Sequence, residues 1–206
     1  MLLLQETPAR AELIDPVRRT VVTSIALELG DGHPLSEPWE DPKGSRGEGA
    51  VLLSNGHLLV AKEKRPTAFL EFGPAGEPPS GYRTGLALDA GQGWPAVAGE
   101  RTFVALATWM PDARLRDACK DFSDLEVGPD GRLYLLSDKS GSLARLGDLV
   151  PGSGAASAEE VWRLGKLDGK PEGLAFTPNG RAVVALDTRK ARHNLVLFEP
   201  PVAPPT

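Results

Sequence analysis

The sequence predicts an all-β chain: a β-propeller of four-stranded antiparallel blades, about four of them visible, forming an incomplete ring. Three observations carry that prediction. First, one phrase recurs at residues 47–72, 122–146 and 171–198. It reads as an apolar strand, an Asn-Gly or Asp-Gly turn, a second apolar strand ending in an acid, a short loop and a third strand. Second, those closing acids are Glu63, Asp138 and Asp187, and Glu6 joins them through the matching phrase LLLQET, giving intervals of 57, 75 and 49 residues. A four-stranded blade takes roughly 40–50 residues, so the long interval implies an inserted loop, placed at 73–101. Third, 23 Gly and 19 Pro accompany an absence of any sustained 3.6-residue apolar period. That balance favours many short strands joined by turns over long helices.

The repeats align on the turn glycines Gly56, Gly131 and Gly180. Each follows Asn55, Asp130 or Asn179, residues that tolerate the positive φ of a two-residue hairpin. Pro129 and Pro178 strengthen two of the turns. Seven residues after each glycine stands the acid, and eight before it stand Glu48, Ser123 and Glu172.

In chain order, residues 1–6, 10–15 and 21–29 read as the second, third and outer strands of a first blade (1–29). A polar, proline-punctuated loop follows at 30–47. The second blade (48–110) takes 48–53, 58–62, 68–72 and, beyond the insert, 102–110 (TFVALATWM). Residues 111–120 suit a short helical turn. The third blade (122–165) takes 123–128, 133–137, 143–146 and 160–164, and the fourth (171–199) takes 173–177, 182–186 and 195–199. The tail at 200–206 is proline-rich and reads as disordered.

These strands number fourteen, where a closed four-bladed ring needs sixteen. The expectation is an arc of a larger ring, with an N-terminal segment missing and open sheet edges through which copies could associate. At 206 residues the chain suits one domain. A net charge of −5 gives no nucleic-acid footprint. No apolar run approaches the ~20 residues of a membrane span. MLLL gives way at once to Gln5 and Glu6, so the chain as written is expected in the cytoplasm, and exported if an N-terminal segment is missing. Cys119 is alone, which rules out an internal disulfide.

Candidate chemistry gathers where hairpin geometry sends it. The first strand starts, and the second ends, on the same face of each blade. Glu6, Glu48, Glu63, Ser123, Asp124, Asp138, Glu172 and Asp187 should therefore share one rim of a central channel, with Lys62, Lys64, Arg65, Lys139, Arg189 and Lys190 beside them. Such a rim could bind a small polar ligand, a protein partner or Ca²⁺, because a hard cation wants several converging oxygens. The plainer reading is that Glu63, Asp138 and Asp187 accept backbone N–H groups and shape their turns. The column of Glu48 and Glu172 is the better ligand and metal candidate, since it faces the channel more directly. His33, His57 and His193 lack metal spacing and read as surface histidines. Ser123 and Ser137 have no histidine placed to pair with them, so no catalytic residue is assigned. Cys119 sits in a poor setting for a thiolate. Trp39, Trp94, Trp109 and Trp162 read as blade packing.

The phrases DFSDLEVGPDGRLYLLSDKSGSLARL and KPEGLAFTPNGRAVVALD resemble the SdiA-regulated and phytase-like (esterase-like) bacterial propellers. That resemblance implies a ring of about six blades, often exported. A second resemblance runs to the Ca²⁺-dependent lactonases of the gluconolactonase type. GEGAVL is similar to their first metal-ligand strand, which would make Glu48 a ligand, while Glu172 stands where their Asn ligand is expected. The first functional reading is a phytase-like or SdiA-regulated-type propeller that offers the acidic rim to a ligand, metal or partner. The second, from the lactonase resemblance, is a Ca²⁺-dependent lactonase or esterase; if the chain is an enzyme, it is expected to be a hydrolase of ester, lactone or phosphoester bonds. A non-catalytic interaction scaffold is the third reading.

Overall fold

The computed structural model describes residues 1–41, 46–88, 99–189 and 194–198. Among them are fifteen strands and two short helices. The first three strands, β1 (Leu2–Gln5), β2 (Arg10–Asp15) and β3 (Thr20–Glu28), form an antiparallel meander. Helix α1 (Ser36–Glu40) follows in the stretch expected to be loop, held by burial of Trp39. A second meander comprises β4 (Gly47–Leu52), β5 (Leu58–Lys62), β6 (Ala68–Gly73) and β7 (Gly99–Pro111). Helix α2 (Ala113–Ala118) occupies the expected helical turn, and Asp112 caps it by accepting the Leu115 N–H at 2.8 Å. The third meander is β8 (Asp124–Val127), β9 (Leu133–Ser137), β10 (Ser142–Leu146) and, past the stub β11 (Ala155–Ala156), β12 (Ala158–Arg163). The last is β13 (Lys170–Phe176), β14 (Ala182–Asp187) and β15 (Leu195–Phe198).

The repeat is visible in the register. Gly49 faces Ala61, Asp124 faces Leu136 and Gly173 faces Ala185, so three hairpins pair at the same offset from their turns. The turn glycines Gly56, Gly131 and Gly180 adopt φ of 90°, 72° and 83°, the left-handed region the Asn-Gly and Asp-Gly pairs predict.

The first two meanders are not separate sheets, which corrects the blade boundaries drawn from sequence. The long strand β7 pairs in parallel with β3 through residues 99–104 and antiparallel with β6 through 104–109. One continuous sheet results, in the order β1-β2-β3-β7-β6-β5-β4, with β11 beside β7. It curls until its two edges meet, nearly closing a barrel: a Cβ on Gly47 of β4 would lie 2.7 Å from the Leu4 side chain of β1. The third meander is a four-stranded sheet, β12-β10-β9-β8, and the fourth a three-stranded one, β13-β14-β15. The insert is also shorter than expected, since β7 begins at Gly99.

The strands β1, β4, β8 and β13 touch in succession. Close approach is built in at Gly49, where an added Cβ would stand 2.2 Å from the Leu125 nitrogen of β8. Three apolar cores form, one of them made wholly by the curled first sheet and its helix α1. Phe69, Trp109, Phe122 and Leu135 centre one. Ile25, Trp39, Leu70 and Phe72 centre the second, and Tyr134, Leu136, Leu174 and Val184 the third. Trp162 packs on the third core and stacks on Tyr134, so Trp39, Trp109 and Trp162 pack as expected. Trp94 lies outside the described residues, as do Lys190, His193 and the 200–206 tail.

Candidate functional site

Backbone stitching brings the starts of the first strands and the ends of the second together. Arg46 reaches back to the first meander, donating its N–H to Glu6 Oε1 at 3.0 Å and its Nη1 to the Glu6 carbonyl at 2.7 Å. Its Nε holds the Trp39 carbonyl at 2.7 Å. The Glu63 N–H bonds the Arg46 carbonyl at 3.1 Å, and the Phe122 N–H bonds the Glu63 carbonyl at 3.1 Å. Asp124 completes the series: its Oδ1 accepts from Leu125 N–H at 2.8 Å and its Oδ2 from Leu174 N–H at 2.6 Å, tying β8 to β13.

Glu48 and Glu172 occupy equivalent and unusual places. The β4–β5 register shifts between Gly47 and Gly49, and the β13–β14 register shifts between Pro171 and Gly173. Each acid is thus the extra residue of a β-bulge, freed from the ladder where a bulge can re-aim a side chain. Burial pushes the Glu48 carboxyl up to about 7, helped by the charges of Glu6, Glu63 and Glu172 and by a hydrogen bond to Glu6. Glu172 is raised by burial and then by Asp138, Asp187 and Glu63, against the opposing charge of Lys170. Asp138 is raised by burial and Asp121, and its N–H bonds Ser123 Oγ at 3.0 Å. Glu48 therefore feels the charges of Glu6, Glu63 and Glu172, and Glu172 those of Asp138, Asp187 and Glu63, across the sheets. Lys62 lies fully buried beneath them, its amine lowered by burial and donating to the Lys64 carbonyl, while Lys64 pairs with Glu63.

Two members are spoken for structurally. Ser123 is 4% exposed and caps the end of β9. Asp124 is partly buried and holds two N–H donors, and desolvation pushes its carboxyl up to about 6. Among the described residues no three His, Cys, Asp or Glu side chains stand close enough to hold a metal ion. The Cys119 thiol is pushed up to about 11 by burial, an unreactive state.

Two features escaped the sequence reading. Asp121, 2% exposed, accepts Ser137 Oγ at 2.6 Å and the Lys139 N–H at 3.1 Å, and so shapes the β9–β10 turn. His57 is 1% exposed, not a surface histidine. Its Nδ1 lies 2.6 Å from Glu71 Oε1 and its Nε2 2.9 Å from Glu77 Oε2. The lone acid within AFLEFG of β6 was the signal, since an acid among buried apolar residues needs donors. His33 is half-buried, its ring lowered by burial, and bonds Thr108 Oγ1 at 3.0 Å.

No family model matches the chain. No curated protein matches it either. Among solved structures, a protein of unknown function from Bacteroides caccae aligns at a TM-score of 0.43 and 16% identity. The alignment covers 92% of this chain and 53% of that one, so the chain spans about half its length. No helix among the described residues is long and apolar enough to cross a membrane.

Proposed function

We propose that the chain is a propeller-type binding module whose acidic rim takes a cationic group of a small ligand or a protein partner. The propeller reading is supported by the recurring meander, its shared register and the succession of β1, β4, β8 and β13. It agrees with the resemblance to the SdiA-regulated and phytase-like propellers. The observation that carries the binding reading is Glu48: a half-buried carboxyl on a bulge, raised to about 7 by burial and by three acids from three other segments. A cation placed among them relieves the mutual repulsion and lets Glu48 ionise.

The test is calorimetric titration with spermidine as probe at pH 7, repeated in buffers of different ionisation enthalpy. Binding is expected with release of about half a proton, because a carboxyl near pKa 7 is half protonated there. The pair E48Q/E172Q should weaken binding at least tenfold. Undetectable binding, or equal affinity in the pair, would overturn the reading. A Ca²⁺ arm tests the alternative of a Ca²⁺-dependent lactonase or esterase: chelator-sensitive hydrolysis of a lactone or aryl ester would favour it.

A further inference from the structure

Successive sheets of this chain meet through one register position. Gly49, Asp124 and Gly173 hold it, paired with Ala61, Leu136 and Ala185 at the same offset from the three hairpin turns. The first two are each covered by the next sheet. A Cβ on Gly49 would stand 2.2 Å from the Leu125 nitrogen and 2.9 Å from the Asp124 carbonyl carbon of β8. Asp124 Oδ2 in turn accepts the Leu174 N–H of β13 at 2.6 Å. Gly173 has no such neighbour. Among the described residues, the one atom within 4 Å of its added Cβ is the Ala185 Cβ of its own sheet, at 3.2 Å.

The rows that run through this position form a face. Gly173 pairs with Ala185 and Ala185 with Leu195, while Ala175 pairs with Val183 and Val183 with Leu197. Successive strand residues point to opposite sides of a sheet. The alternate rows, through Val184 and Ala182, turn into the third core. The six residues that turn outward are uncharged, and Leu195 and Leu197 are 61% and 57% exposed. Side-chain size on this face rises across the sheet, from Gly and Ala on β13, through Ala and Val on β14, to two Leu on β15.

We propose that this face docks against the same face of a second copy of the chain, about a two-fold axis running along β14. Two observations select that partner. The equivalent positions Gly49 and Asp124 are each met by the first strand of another sheet, so the surface around Gly173 continues the sheet-on-sheet packing of the chain itself. The size gradient then fits the copy. Rotation about β14 lays β15 of one chain over β13 of the other, so each Leu meets a Gly or an Ala and β14 meets β14. Strand directions stay aligned, as in other face-to-face sheets. No like charges meet, because the face carries none. Three short strands make a small footprint beside the roughly 800 Å² per partner of a stable complex, so the dimer is weak and reversible.

The test is sedimentation velocity on the full chain from about 10 µM to about 1 mM, the range in which a weak dimer forms. The weight-average mass should rise toward twice that of one chain. A175E, at an exposed position, should weaken association at least tenfold by setting a carboxylate against Leu197 of the second copy. A185C reads the geometry, since Ala185 lies beside the axis and meets its own counterpart. Under mild oxidation it should give a disulfide-linked dimer, whereas L3C, exposed on the first meander, should not; the buried Cys119 does not compete. A chain that stays monomeric throughout overturns the proposal. So does a dimer in which A185C stays uncrosslinked, or in which L3C cross-links as readily. Dimers that appear only after residues 199–206 are removed overturn it too, because the chain's own tail then covers the face.

Discussion

Glu48 is the residue on which the electrostatics of the rim turn. Folding places it on a bulge where burial and the charges of Glu6, Glu63 and Glu172 all oppose its ionisation. Its ionised form therefore costs stability at high pH, and a neutral isostere removes that cost. E48Q is expected to raise unfolding free energy at pH 8 by about 1 kcal/mol, discounted for partial exposure, and to leave it nearly unchanged at pH 5. The Gln amide can still donate to Glu6 as the protonated acid does. Chemical denaturation at the two pH values checks this, and a loss of stability at pH 8 would contradict it. Asp124 gives a contrasting case at the same scale. Its carboxyl is also raised, to about 6, but it holds two backbone N–H groups and cannot be neutralised without losing one of them. D124A is expected to cost about 1–3 kcal/mol, the penalty of two buried N–H donors left without acceptors.

At the scale of the element, the sheets hold together because their first strands approach closely. Gly49 has no room for a side chain: the Leu125 nitrogen and the Asp124 carbonyl carbon lie 2.2 and 2.9 Å from where its Cβ would be. Both are backbone atoms of a packed strand and cannot swing aside. G49A should therefore destabilise by about 1–3 kcal/mol through overpacking, read as a lowered denaturation midpoint. Gly173 offers a control at the equivalent register, since its added Cβ meets only the Ala185 Cβ at 3.2 Å. G173A should cost clearly less. Most of these elements were legible beforehand, for physical reasons. β5, β9 and β14 announce themselves by apolar runs bounded by Asn-Gly or Asp-Gly turns, which local chain geometry dictates. The parallel pairing of β3 with β7 was not legible, because it joins residues some 75 positions apart that carry no shared signal. The bulges at Glu48 and Glu172 were hidden for a related reason: a bulge depends on the partner strand's register. The acids themselves were found, but as a column of rim residues without the backbone feature that frees them. His57 was misjudged because its two carboxylates come from β6 and the following loop.

For the whole molecule, the row of sheets has two ends, and the exposed apolar residues gather there. Met1, Leu3, Val17, Val21 and Val22 lie in the first meander, and Leu195 and Leu197 in the last. Among exposed large apolar side chains of the described residues, only Val150 lies elsewhere. Uncovered apolar side chains favour association, and in the last sheet Leu195 and Leu197 lie on its edge strand β15. Light scattering at rising concentration is expected to show it, and the double variant L195S/L197S should reduce it; a concentration-independent monomer would contradict this. Global stability should also carry the signature of the raised acids. Glu48 and Asp124 bind protons more readily folded than unfolded, where their ordinary values are 4.5 and 3.8. Their contribution is therefore fully present below about pH 4 and is lost as pH rises through 6 and 7. The rim's central property is that neighbouring acids raise Glu48 across the sheets. The measurement that reaches it directly is ¹³C NMR titration of the Glu48 carboxyl carbon, in the native chain and in E6Q/E172Q. A midpoint near 7 that falls toward the ordinary value in the double variant is the expected result. A Glu48 midpoint at about 4.5 in the native chain would mean that the acids do not act together.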